Sequence, residues 1–86
     1  MARYELLYLP SIAKDLRGLP KADVRRILAR TERLRDDPYP PNALKLEGED
    51  RYRVRQGNYR ILYSVDDGRV IIYIIKIGHR RDVYRR

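Results

Sequence analysis

The chain of 86 residues carries 20 Lys and Arg against 12 Asp and Glu, a formal net charge of +8, with no cysteine and one histidine. That length supports one modest core and a single domain, residues 1–86, and the lack of cysteine removes disulfide frameworks and thiolate metal sites. No segment approaches the roughly 18 apolar residues of a membrane span, so the sequence predicts a cytoplasmic protein whose excess charge seeks a polyanion or an acidic partner.

Residues 3–9, RYELLYL, are rich in strand formers and stop at Pro10, which predicts a strand. Ser11 is placed to cap a short helix reaching about residue 19, with Ile12, Leu16 and Leu19 on one stripe. Gly18 and Pro20 punctuate it. Pro20 suits the first turn of a second helix, in which Val24, Ile27, Leu28, Thr31 and Leu34 follow the i, i+3, i+4, i+7 pattern. Arg25, Arg26, Arg30 and Arg33 fall off that stripe and read as a solvated face. Residues 36–42, DDPYPPN, form a connector too short to link domains.

In residues 51–63, RYRVRQGNYRILY, Tyr52, Val54, Tyr59, Ile61 and Tyr63 alternate with Arg51, Arg53, Arg55, Arg60 and Leu62. This is the two-residue period of half-buried strands. Gly57-Asn58 interrupts it as a type II′ hairpin loop, because glycine takes a positive φ without a Cβ clash. Gln56 is then opposite Tyr59, Arg55 opposite Arg60, and Val54 opposite Ile61. Asp67-Gly68 is a type I′ signal, which pairs Val65 with Val70, Tyr63 with Ile72 and Ile61 with Ile74. Residues 70–77, VIIYIIKI, are apolar on both faces and predict a central, covered strand.

The order predicts an α+β fold, β-α-α-β-β-β: an N-terminal strand and a helical hairpin packed on a mainly antiparallel four-stranded sheet. One sheet face, from Tyr52 to Ile74, receives the helices. The other carries Arg51, Arg53, Arg55 and Arg60 at one end and an apolar patch of Leu62, Ile71, Tyr73 and Ile75 beyond. Such a patch is a candidate contact for a partner protein laid across the sheet; burial under the chain's own N-terminal strand or tail is the other reading.

Arg55 opposite Arg60 breaks a local rule, since like charges directly opposed destabilise a sheet. Splaying into water is one account; a functional site is the other. Arg supplies 16 of the 20 cations, and its planar fork matches phosphate, although a thermophile composition produces the same bias. An antiparallel last strand brings Ile77 beside Tyr59, so the tail GHRRDVYRR, with His79, Arg80 and Tyr84, is expected near Arg55 and Arg60. Histidine is the side chain that changes charge nearest neutrality. Tyr84 is a base-stacking platform, a phosphate donor or a tail anchor. Lys45, Arg51, Arg53 and Arg81 extend the basic surface as RNA-binding candidates. Chemistry that fits is cleavage of an RNA phosphodiester by its own 2′-hydroxyl, which needs positive charge, a base and an acid but no metal or other cofactor. A non-catalytic basic RNA-binding module stays open.

Residues 46–86 resemble the C-terminal half of the RelE/ParE toxin superfamily of type II toxin-antitoxin modules. The likeness rests on Leu46-x-Gly48, on Tyr52-Arg53-x-Arg55-x-Gly57-x-Tyr59-Arg60, and on Gly78-His79-Arg80-x-x-x-Tyr84. The resemblance implies a RelE-like fold, a cognate antitoxin, and ribosome-dependent, metal-independent mRNA cleavage that inhibits translation. It implies that Arg60 stabilises the transition state, that Arg53 and Arg55 are basic positions on the preceding strand, that Arg80 contacts phosphate, and that Tyr84 orients or stacks on substrate. Arginine is too strong a base to release a proton at neutrality. His79 or Glu47 then takes the acid or base role that His and Glu have in related toxins. ParE-like members, which poison DNA gyrase without being nucleases, share much of the pattern.

Overall fold

In a computed structural model, residues 3–46 and 50–79 are described. The elements run β1 (Glu5–Tyr8), α1 (Ser11–Leu16), α2 (Lys21–Leu34), β2 (Leu44–Lys45), β3 (Arg51–Gln56), β4 (Tyr59–Asp66) and β5 (Ile71–His79). The sheet has five strands in the order β1-β5-β4-β3-β2, one more than the sequence predicts. The addition is β2, two exposed residues paired antiparallel to β3 at an edge, too short to leave a periodic signature. β1 joins the opposite edge parallel to β5.

Helix α1 ends at Leu16, three residues before the predicted boundary, where the chain turns through Gly18 at φ +87°. Ser11 is not its cap. Pro10 holds that position, and no side chain caps the helix. Helix α2 begins at Lys21, with Pro20 at its N-cap rather than in its first turn, and buries Ile27, Thr31 and Leu34. Arg30 corrects the solvated-face reading: it is only 8% exposed and donates to the Asn42 side-chain oxygen at 3.1 Å. Burial and, after it, the neighbouring Arg33 lower its pKa from the ordinary arginine value.

Ile12, Ile27 and Leu34 pack onto Val54, Ile61, Tyr63, Ile72, Ile74 and Ile77 to form the core. Each fully buried Ile, Leu or Val contributes about 1.5–3 kcal/mol by leaving water. Tyr63 is fully buried and still satisfies its hydroxyl, donating to the Pro38 carbonyl at 2.7 Å, so the proline-rich connector is tied to the sheet. Tyr8 does the same for β1. Its hydroxyl meets Thr31 Oγ1 at 2.8 Å, and Thr31 in turn donates to the Leu28 carbonyl.

The first hairpin has the predicted register: Gln56 pairs with Tyr59, Arg55 with Arg60 and Val54 with Ile61. Gly57 takes φ +60° while Asn58 does not turn positive, the type II′ signature. The second hairpin departs from expectation. Asp66 pairs with Ile71, leaving a four-residue loop at 67–70, so Val65 pairs with Ile72 and Tyr63 with Ile74. Gly68 does not carry the left-handed conformation; Val70 does, at φ +59°. The Asp66 carboxylate accepts from the Arg69 amide at 3.0 Å and closes the loop, and Val70 presents its carbonyl to the Glu5 amide at 2.9 Å. The loop therefore serves the β1–β5 pairing as well as the reversal.

The ladder slips once more. Tyr63 pairs with Ile74 but Leu62 pairs with Lys76, so Ile75 is an extra residue on β5, a β-bulge. A one-residue slip exchanges the faces of everything beyond it. Ile77 and His79 thereby join the helix-covered face, and Ile61 pairs with Ile77, not Ile74.

Candidate functional site

The uncovered face of the sheet is built by the hairpin. Arg51, Arg53 and Arg55 on β3 and Arg60 on β4 point away from the helices, in register with Ser64, Leu62, Arg60 and Gly78 across the ladder. Directly beside a two-residue loop and its hydrogen-bonded pair, Arg55 and Arg60 occupy a non-hydrogen-bonded pair. Opposed Cβ atoms in such a pair lie about 4.5–5.5 Å apart. Arg55 is exposed and Arg60 half-buried, so one guanidinium is anchored by the sheet and the other faces solvent. Arg53 and Arg55 also line a groove of about 250 Å³ with Asn42 and Leu44, which continues the basic surface to the β2 edge. Two arginines thus stand at directly opposed positions of one hairpin on the open face, a charge arrangement that suits an anion.

Charge is sorted along the strands. β4 runs from Arg60 to Asp66, and the far end of the sheet gathers Asp50, Asp66 and Asp67 around a cleft of about 610 Å³ that Tyr39, Tyr52 and Tyr73 also line. Tyr39 donates to Asp67 at 2.7 Å and Tyr4 donates to its other oxygen at 2.5 Å; these bonds lower the Asp67 pKa and raise that of Tyr4, while Tyr39 is raised by burial first and by its bond to Asp67 second. On the open face Arg55 and Arg60 thus stand at the Gly57 end, and Asp66 and Asp67 gather at the other.

Several sequence expectations change. His79 pairs with Tyr59, not beyond it, and its imidazole meets the Tyr59 ring edge-on at 6.0 Å, on the helix side of the sheet. The bulge at Ile75 is the cause, and it separates His79 from the arginine pair by the thickness of the sheet. A proton relay from His79 to a phosphate held by Arg55 and Arg60 is therefore not formed by the described residues. Lys45 also moves: it pairs with Tyr52, so it lies on the helix-side face rather than beside Arg53. Of the apolar patch, Leu62 is already buried at 9% exposure, flanked in the ladder by Arg53 and Lys76. Ile71, Tyr73 and Ile75 are half-buried and, with Leu7 at 38% exposure beside Tyr73, make up the accessible part. Glu47, Arg80, Arg81 and Tyr84 lie outside the described residues. Among the described residues no three His, Asp or Glu side chains gather as metal ligands, and no helix is long and apolar enough to cross a membrane.

Sequence reasoning misses a second grouping, on the helix side of the same hairpin tip. Asp23, in the first turn of α2, accepts from the Tyr59 hydroxyl at 2.8 Å and from Arg26 at 3.2 Å. The bond to Asp23 raises the Tyr59 pKa above 10.0. With Gln56, Asn58 and His79 these residues line a cleft of about 210 Å³. The sequence signal was available only in part: Tyr59 and Asp23 are 36 residues apart, and nothing local couples them.

A helical pair packed on one face of a five-stranded, mostly antiparallel sheet is the fold this chain shares with solved RelE-type toxins. The toxin–antitoxin RelE–RelB complex of Pyrococcus horikoshii superposes with a TM-score of 0.83 at 36% identity, covering 94% of this chain and 99% of that one. The RelBE2 toxin–antitoxin complex of Mycobacterium tuberculosis gives 0.80 at 25% identity, covering 91% and 99%. Toxin RelG of the same bacterium is 28% identical over 85 residues, covering 96% of this chain and 98% of its own length. Residues 6–84 match the ParE toxin family of type II toxin-antitoxin systems, and the chain belongs to that family, within the RelE/ParE superfamily.

Proposed function

We propose that this toxin cleaves mRNA on the translating ribosome without a metal, through attack of the RNA's own 2′-hydroxyl, and that a cognate antitoxin covers it between uses. The observation that carries the reading is the Arg55–Arg60 pair: like charges on directly opposed positions of a rigid hairpin, on the face the helices leave open. Two guanidiniums at opposed positions of one face favour an anion placed between them. Arg60 and Arg55 neutralise the charge that develops on the phosphorane. Arg51 and Arg53 track the flanking phosphates, Arg80 and Tyr84 are assigned to the same RNA strand by the family resemblance, and Arg81 is a further RNA-binding candidate by its charge. Arginine does not accept a proton at neutrality, so this face supplies electrostatic stabilisation, and the proton transfers fall to groups beyond it. The half-buried Ile71, Tyr73 and Ile75, together with the edge of Leu62, are the proposed antitoxin contact.

The test is Arg60→Ala. Removing one preorganised charge-stabilising donor lowers cleavage about 100- to 1,000-fold. Primer extension on mRNA from induced cells should lose its cleavage products while the melting temperature stays within error. Unchanged products would refute the proposal. The match to the ParE family favours a second reading, a DNA gyrase poison. That reading predicts inhibited supercoiling and no RNA products from the same cells.

A further inference from the structure

We propose that the cleft on the helix side of the hairpin tip is a nucleobase pocket, which receives a base next to the phosphate gripped by Arg55 and Arg60 and so selects where the message is cut. This rests on the RNA-cleaving reading above. It assigns that activity a specificity site on residues the phosphate chemistry does not use.

Four features of the cleft fit a base. The Tyr59 ring is held in place by its hydroxyl bond to Asp23 at 2.8 Å, so a flat surface is offered with little rotamer entropy left to lose. The His79 ring stands nearly perpendicular to it, at 79° and 6.0 Å between centroids, forming a wall rather than a lid. Gln56 and Asn58 each bring an amide with donors and an acceptor, the pattern that reads base edges. Arg26 reaches the same cleft with its guanidinium oriented by Asp23 at 3.2 Å, leaving further N–H donors to contribute.

The location supplies the rest. Gln56 and Tyr59 are the ladder pair immediately after Arg55 and Arg60 and face the other side of the sheet, so the pocket lies around the hairpin tip from the arginine pair. A nucleotide strand passing over the tip places a phosphate on one face and turns a base to the other. Gly57 leaves that passage open: a Cβ built there meets nothing within 4 Å. A splayed, unstacked base read by side chains is the usual way sequence is recognised in single-stranded RNA.

The experiment combines two measurements on the whole protein. In the first, backbone NMR shifts are followed with inorganic phosphate and with each of the four nucleoside 5′-monophosphates. In the second, cut positions on translated mRNA are mapped for the wild type, for Gln56→Ala/Asn58→Ala and for Arg26→Ala. Phosphate is expected to move Arg55 and Arg60 alone. One monophosphate is expected to move Gln56, Asn58, Tyr59 and His79 as well, binding about tenfold tighter than the least favoured one. The variants should level that difference and shift or broaden the cut positions. If the wild type cuts normally but no monophosphate moves the cleft beyond the effect of phosphate, the pocket is refuted and the activity stands. Base-dependent cleft shifts without any cleavage support the pocket and refute the activity. Variants that cut at the same positions yet lose antitoxin binding assign the cleft to a protein partner and also overturn the inference.

Discussion

Replacing Asp15 tests how the bulge on β5 is held. Asp15 sits near the end of α1 with its side chain 14% exposed. Its Oδ2 accepts from the Ile77 amide at 3.0 Å, and its Oδ1 lies 3.7 Å from Lys76 Nζ. A bulge leaves ladder groups to find partners elsewhere, and Asp15 takes this donor two residues after the extra Ile75. A hydrogen bond to a charged group contributes about 1.5–3 kcal/mol, and the lysine pair, with Lys76 40% exposed, adds less than about 1 kcal/mol. Asp15→Ala should therefore lower stability by about 2 kcal/mol, read as an earlier midpoint in urea with an unchanged m-value. In a domain of this size, with about 4–8 °C per kcal/mol, that is roughly 10 °C in melting temperature. Asp15→Asn keeps an acceptor and should lose about half as much. Because the same tie fixes the part of β5 that ends in His79, the Tyr59 and His79 ring signals should broaden in the alanine variant. Stability within 0.5 kcal/mol of wild type, or of order that small, would refute the claim that this bond anchors the bulge.

Gly57→Ala isolates backbone strain, since φ is +60° there and no neighbour lies within 4 Å of the added Cβ; the expected loss is about 1–2 kcal/mol, with Gly57→Asn losing less, by chemical denaturation. Asp67 has a folded pKa below its ordinary 3.8, chiefly because Tyr39 and Tyr4 donate to the charged form. Its contribution is complete above that ordinary value and is lost as pH falls through the lowered folded one, so Asp67→Asn should flatten the stability profile below about pH 4 and nowhere else. Binding of a single-stranded RNA should weaken linearly in log salt, and Arg53→Ala or Arg55→Ala should each reduce that slope by about 0.7, as measured by fluorescence anisotropy.

The hairpin at Gly57 was readable because one residue decides it: only glycine accepts the positive φ cheaply, and the alternation on both sides fixes the face of every arginine. The next hairpin was not, because the Asp67-Gly68 signal competes with an Asp66 side chain that closes a longer loop, and a valine takes the left-handed conformation against its own preference. β5 hid its bulge for a different reason. VIIYIIKI is apolar at every position but one, so no polar partner marks which face each residue takes, and the slip that carries His79 across the sheet has no local signature. The helices were legible from their stripes. Burial of Arg30 was not, since its partner Asn42 lies in the connector, twelve residues away. The arginine face could be drawn from sequence, whereas the cleft under the hairpin tip needed the docking of α2.

Pairing of β1 with β5 joins the first strand of the chain to the last. While a nascent toxin is still emerging, its opening strand has no sheet to enter, and the parallel contact forms only once nearly everything between the two has been made. Folding is thereby deferred toward the end of synthesis, by a loop closure spanning most of the polypeptide. A truncated product of this gene would lack β5, an interior strand, and with it the neighbour against which the arginine hairpin is held.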